Sequence, residues 1–229
     1  NSSLNLDLQS KKGDNLKIST LLYQFPLKQG LEITIGPKMF GYNGLAGKST
    51  VYKERIAILD GSNFTTSSGI GPGVSISKEN DNGLNFSLKF ASNNMEMNDK
   101  SQHLISQIGL TKKKYGGTIT ANFNENFEAL GIALFYKPKI YPSISASIEQ
   151  KEGENIMRTI NWIIGTQQEI NSVTYGLAVG TYNDNEEIVY EGWSEIDIVD
   201  KIKLIPVLFM RENNDKNEFG FAINTKFSY

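Results

Sequence analysis

Hydrophobic and polar positions alternate with a period of two along most of the chain. From Phe219 to Tyr229 one face reads Phe219, Phe221, Ile223, Thr225, Phe227 and Tyr229, and the other reads Gly220, Ala222, Asn224, Lys226 and Ser228. The same division separates Leu31, Ile33 and Ile35 from Glu32, Thr34 and Gly36, and Phe86, Leu88 and Phe90 from Asn85, Ser87 and Lys89. Ile119, Ala121 and Phe123 stand against Thr118, Thr120 and Asn122, and Ile144, Ala146 and Ile148 against Ser143, Ser145, Ser147 and Glu149. Successive side chains of a strand point to opposite faces, so this spacing predicts strands with one apolar face and one wet face. The expected strands are 4–10, 16–25, 31–39, 69–78, 84–91, 102–111, 116–123, 129–137, 143–149, 158–168, 172–182, 188–198, 202–211 and 219–229. Nearly all are consecutive hairpin partners.

The connections fall into two sets. Pro26 to Gly30, Glu79 to Gly83, Lys112 to Tyr115, Pro138 to Pro142, Glu169 to Asn171 and Val199 to Lys201 are compact. The intervening set is generally longer and rich in Asn, Asp, Glu and Lys: 40–68, 92–101, 150–157, 183–187 and 212–218. Tight turns at one end and longer polar loops at the other describe an antiparallel up-and-down barrel. Segment 40–68 exceeds an ordinary hairpin loop, and its stretch 51–59 suits a short helix. Loops of that length usually carry function; this one is expected either to fold into the lumen and narrow it or to pack on the rim.

The chemistry of the two faces separates a membrane barrel from a soluble sandwich. A sandwich exposes a charge-rich face, whereas the polar face here is Ser, Thr, Asn, Gly and Ala with scattered Lys and Glu, as suits the wall of a water-filled lumen. The apolar face ends in aromatic residues near strand termini, namely Phe25, Phe90, Phe123, Tyr136, Tyr175, Tyr190, Phe227 and Tyr229. Such girdles mark the two interfaces of spanning barrels, although strands favour aromatics in any setting. No run of about 18 apolar residues exists for a spanning helix, but spanning strands need only about 9 to 11 residues each.

Charge and composition then narrow the chemistry. Twenty-three basic and 25 acidic residues leave a net charge of −2, which offers no global basic surface for nucleic acid. The absence of cysteine and the presence of one histidine, His103, remove thiolate and Cys/His zinc sites; no metal or cofactor is expected. The inward face offers Asp7, Glu32, Lys89, Glu149, Glu191, Glu195, Lys203 and Lys226 as pore-lining charges. The long loop adds Lys48, Lys53, Glu54, Arg55 and Asp60 as constriction candidates. Rings of fixed charge bias which ions enter a channel, but the mixed signs leave the preference open.

Three motifs imitate enzymes. Gly44-Leu45-Ala46-Gly47-Lys48-Ser49-Thr50 resembles a phosphate-binding loop, yet Tyr42 stands where the first glycine is required and no βαβ pattern surrounds it. His103 lies near Ser101 and Ser106, a hint of a barrel lipase that lacks a visible orienting group or oxyanion site. Glu191 and Glu195 share a strand face, but four residues of strand separate them by roughly 13 Å, beyond the working range of a glycosidic acid/base pair.

The last strand ends on an aromatic residue, with Phe227, Ile223 and Phe221 behind Tyr229 on one face. It resembles the terminal-strand signal that delivers outer-membrane proteins to the barrel-assembly machinery. Leu22-Tyr23-Gln24-Phe25-Pro26-Leu27 followed by Leu31-Glu32-Ile33-Thr34-Ile35-Gly36-Pro37, then Leu130 to Pro138, Tyr175 to Gly180, Ile202 to Pro206 and Thr225-Lys226-Phe227, resemble in order the cyanobacterial-type outer-membrane porins, grouped with the carbohydrate-selective porins. The resemblance implies a non-enzymatic channel for passive diffusion of small hydrophilic solutes and ions, carbohydrates among them, in the bacterial outer membrane, often as a homotrimer. Family members are longer, and this chain opens on Asn1 without an initiating methionine or an apolar leader. It is therefore expected to be one barrel domain over 1–229, about fourteen strands of an approximately 16-strand barrel, lacking its first strands and any envelope-anchoring domain. A soluble barrel or sandwich that binds a ligand, and a barrel lipase, are the alternative classes.

Overall fold

The computed structural model describes residues 2–9, 17–47, 50–52, 65–66, 71–92, 101–154, 156–182, 187–199, 202–213 and 216–227. Among these residues fourteen strands form one sheet in strict sequence order, each antiparallel to the next. They are β1 (Ser3–Gln9), β2 (Lys17–Pro26), β3 (Leu31–Met39), β4 (Gly71–Glu79), β5 (Leu84–Ser92), β6 (Gln102–Thr111) and β7 (Tyr115–Phe123). The remainder are β8 (Glu128–Tyr136), β9 (Ser143–Gly153), β10 (Ile156–Ile170), β11 (Val173–Tyr182), β12 (Glu187–Val199), β13 (Ile202–Asn213) and β14 (Lys216–Phe227). Among the described residues the one helical element is a 3-10 turn, Lys28–Gly30, in which Gln29 and Gly30 adopt positive φ to reverse the chain between β2 and β3.

The expected strands agree with these to within a few residues, except at two hairpins. The links predicted over 150–157 and 212–218 shrink to two residues each, because β9 and β10 continue to Gly153 and from Ile156, and β13 and β14 to Asn213 and from Lys216. Apolar alternation fades there, but the ladder does not: Lys151 still pairs with Thr159, and Glu212 with Asn217. Backbone pairing needs no apolar side chain, so the hairpins rise beyond the stretch that the hydrophobic pattern marks. At 15 residues, β10 exceeds the span of a bilayer core.

Burial along the middle strands is the inverse of a soluble protein. In β5, Asn85, Ser87, Lys89 and Ala91 are buried while Leu84, Phe86, Leu88 and Phe90 are exposed. Register carries the outward set around the wall, because Phe86 pairs with Ile108, Ile108 with Ile119, Ile119 with Ile132, Ile132 with Ile148, and Ile148 with Trp162. A continuous exposed apolar belt of this size in water would drive aggregation; in hydrocarbon it is the favourable surface. Aromatic side chains edge the belt on both sides. Phe25, Tyr115, Tyr136 and Tyr175 lie toward the short turns, with Tyr115 paired to Tyr136, while Phe90, Phe123 and Tyr190 lie toward the opposite end.

Candidate functional site

Leaving β3, the chain turns inward rather than outward. Phe40 N–H donates to Asn43 Oδ1 at 2.6 Å and Asn43 N–H to Phe40 O at 3.0 Å, which closes a turn over 40–43. The buried Lys89 of β5 donates to the carbonyls of Phe40 and Gly41 and fixes the root of the loop. Next, Ala46 N–H donates to Ser87 Oγ of β5 at 2.7 Å, and Gly47 N–H to Gln107 Oε1 of β6 at 2.8 Å. Val51 and Tyr52 both donate their N–H to Ser145 Oγ of β9 at 3.0 Å. The Tyr52 hydroxyl then donates to Glu191 Oε1 of β12 at 2.5 Å and accepts from Trp193 Nε1 at 2.9 Å. Farther along, Thr65 donates through Oγ1 to Glu149 Oε1 at 2.7 Å and through its N–H to Glu149 Oε2 at 3.3 Å.

These contacts require a curved wall. Strands β5 and β12 stand seven places apart in the strand order, about 34 Å in a flat sheet. The chain from Ala46 to Tyr52 reaches about 20 Å at most, and side chains standing perpendicular to a sheet add little lateral reach. The sheet therefore curls around residues 40–47, 50–52 and 65–66, which lie as a belt against its inner surface. Glycine permits the close approach: a Cβ on Gly44 would lie 1.9 Å from Ser75 Oγ, and one on Gly47 would lie 2.4 Å from Gln107 Oε1. Gly44 also holds φ at +77°. Gly44 to Gly47 of the phosphate-loop look-alike thus lie flat on the wall.

On the far side the interior is apolar. Tyr52 packs with Ala178, Val189, Trp193, Ile205 and Val207, with Ile163 and Ala222 against the cluster. Gly165 of β10 and Gly176 of β11 make room, since a Cβ at either would strike the Tyr52 or Trp193 ring at 2.5 Å or less.

This fold is shared with solved structures of a porin and another outer membrane protein. A double mutant of the Rh. blastica porin matches with a TM-score of 0.72 at 8% identity, over 100% of this chain and 88% of that one. OmpT of Vibrio cholerae, an outer membrane protein solved in a trimer form, matches with a TM-score of 0.71 at 9% identity, over 98% of this chain and 85% of that one. The fold is that of a porin. No protein-family model matches the chain, and no curated protein matches it.

Within the porin fold, the sequence-predicted charges take different places. Lys89, Glu149 and Glu191 hold the belt, as described. Glu32 accepts from Gln24 Nε2 at 3.1 Å near the short turns. Lys203 donates to Glu195 at 2.9 Å and lies 3.3 Å from Asp197, a linked trio at the turn end of β12 and β13. The sequence reading missed Arg211, which bridges Glu187 at 3.4 Å and Glu218 at 2.6 Å. It also missed Tyr52, Thr65, Ser87, Gln107 and Ser145, neutral groups that carry no charge signal. The side chains of Asp7, Lys226 and Phe227 lie outside the described residues, as do Lys48, Lys53, Glu54, Arg55, Asp60 and Tyr229, and so does most of the helix expected over 51–59. Phe221 and Ile223 are exposed on the apolar face of β14.

His103 finds the partners that a hydrolytic site would need, but in the wrong setting. Its Nε2 is 3.1 Å from Ser101 Oγ and its Nδ1 is 3.2 Å from Asn122 Oδ1, the contact order of a nucleophile, base and orienting group. Ser101, His103 and Asn122 are 5%, 1% and 0% exposed, so an ester carbonyl does not reach the hydroxyl. The trio ties β6 to β7 with the Phe127 ring edge-on to the imidazole. It reads as wall structure.

Proposed function

We propose that this protein forms a water-filled channel across the bacterial outer membrane for passive diffusion of small hydrophilic solutes and ions, which pass through unchanged. The observation that carries this reading is the inverted wall: large apolar side chains face outward around the belt, while Ser, Thr, Asn and Gln face a lumen with an inward-folded loop. Residues 40–68 act as the constriction, and Lys48, Lys53, Glu54, Arg55 and Asp60 add charge to it. Among the wall candidates, Asp7, Glu32 and Lys226 join Glu149, Glu191, Glu195 and Lys203 in lining it.

The finer kinship with cyanobacterial-type, carbohydrate-selective porins is supported by the ordered stretches on β2, β3, β8, β11 and β13. The trimer form of OmpT supports a homotrimer. The sheet edges β1 and β14 support closure of the wall into a barrel, because hydrocarbon does not tolerate an unpaired edge. The amphipathic β14, with Phe221, Ile223, Phe227 and Tyr229, serves recognition by the barrel-assembly machinery.

Single-channel recording of the full-length protein in a planar bilayer tests the reading. Discrete conductance steps are expected, and deletion of 46–59 raises their size. Recovery of the protein as a detergent-free soluble monomer would reject the channel, and an unchanged conductance after the deletion would reject the constriction.

A further inference from the structure

The interior is asymmetric, and the asymmetry locates the path. The sector lined by β11 to β13 is filled by Tyr52, Trp193, Val189, Ile205 and Val207, which are buried at close range. Apolar packing of this kind excludes water. At the short-turn end beneath Val51 lies a cavity of about 380 Å³ bounded by Ser143, Gln167 and Thr174. Val51 and Tyr52 are themselves buried and tied to Ser145, so the belt roofs this cavity.

The β2 to β6 sector differs in two ways. It holds a larger cavity of about 690 Å³, bordered by Gln24, Glu32 and Ser77 and opening past Glu79, Asp81 and Lys112. The belt residues along it, Gly44 to Ala46, are half-exposed rather than buried.

We infer that the conducting path is eccentric: solutes travel along the β2 to β6 wall, and Gln24, Glu32, Ser77 and the turn charges Glu79, Asp81 and Lys112 determine what passes, rather than Glu191 and Glu195 on β12. Among the described residues no aromatic side chain borders the larger cavity. The inference rests on the channel reading above.

The chain has no native cysteine, so each introduced thiol is unique. Gln24→Cys and Ser77→Cys test the open sector, and Ser143→Cys and Ala178→Cys the filled one, each in the full-length protein treated with a charged methanethiosulfonate. Modification is expected to lower single-channel conductance by about half or more at Gln24 or Ser77 and by less than about a tenth at Ser143 and Ala178. Block confined to Ser143 or Ala178, equal block in both sectors, or neither labelling nor block at Gln24 and Ser77 in a protein that conducts would overturn the eccentric path. A protein that never conducts before labelling would instead overturn the channel reading.

Discussion

The β2 to β6 and β10 to β13 sectors of one wall obey the same alternation yet meet the belt by different physics. In the first, backbone N–H groups of Ala46 and Gly47 donate to the side chains of Ser87 and Gln107, and glycine lets the loop main chain lie directly on the side chains of the wall. In the second, a single large side chain is buried among apolar neighbours, with its hydroxyl satisfied by Glu191 and Trp193. A strand pattern decides only which residues face inward. Whether the inside is wet or packed depends on what those residues are and on what the loop brings to them.

The comparison predicts unequal damage. Tyr52→Ala empties the centre of the apolar cluster and removes the hydrogen bonds to Glu191 and Trp193, a loss on the scale of aromatic truncation in a core, about 3 to 5 kcal/mol. Reversible urea unfolding in lipid vesicles measures it, and conductance should rise as the belt loses its far anchor. Tyr52→Phe keeps the ring and removes only the two hydrogen bonds to Glu191 and Trp193, so it should cost about 1 to 3 kcal/mol. If the alanine variant costs no more than the phenylalanine one, the cluster is not what holds the belt.

Much of this contrast was invisible in sequence for a definite reason. Strands such as Phe86/Leu88/Phe90 declare their outward face because hydrocarbon accepts only apolar side chains, so the pattern is one-sided and strict. The inward face accepts almost anything that is satisfied, and Val189, Trp193, Ile205 and Val207 sit at inward positions where a wet-lumen reading expects small polar residues. Their partner Tyr52 lies 141 residues from Trp193 in sequence, and nothing in local periodicity connects them. The glycines of 44–47 were conspicuous, but their role follows only from Ser75 and Gln107, which the fold brings alongside. Charge signalled Lys89, Glu149 and Glu191 as lumen residues; that all three hold the loop could be read only from its path.

The smallest predicted effect sharpens the polar side of the comparison. Lys89 holds the belt root through the Phe40 and Gly41 carbonyls, and Phe40 is only partly buried, so water can replace the donor lost to its carbonyl more readily than in the apolar cluster. Lys89→Met should therefore leave global unfolding nearly unchanged while local opening of the belt becomes easier by about 1.5 kcal/mol, the value of one charge-assisted hydrogen bond. Limited proteolysis within 40–68 reads that opening, and cleavage should quicken roughly tenfold when opening and closing are fast. Cleavage at the native rate would mean that Ser87 and Gln107 hold the belt without Lys89. A fall in global stability as large as that of Tyr52→Ala would mean that both sectors are packed alike, which the half-exposed Gly44 to Ala46 argue against.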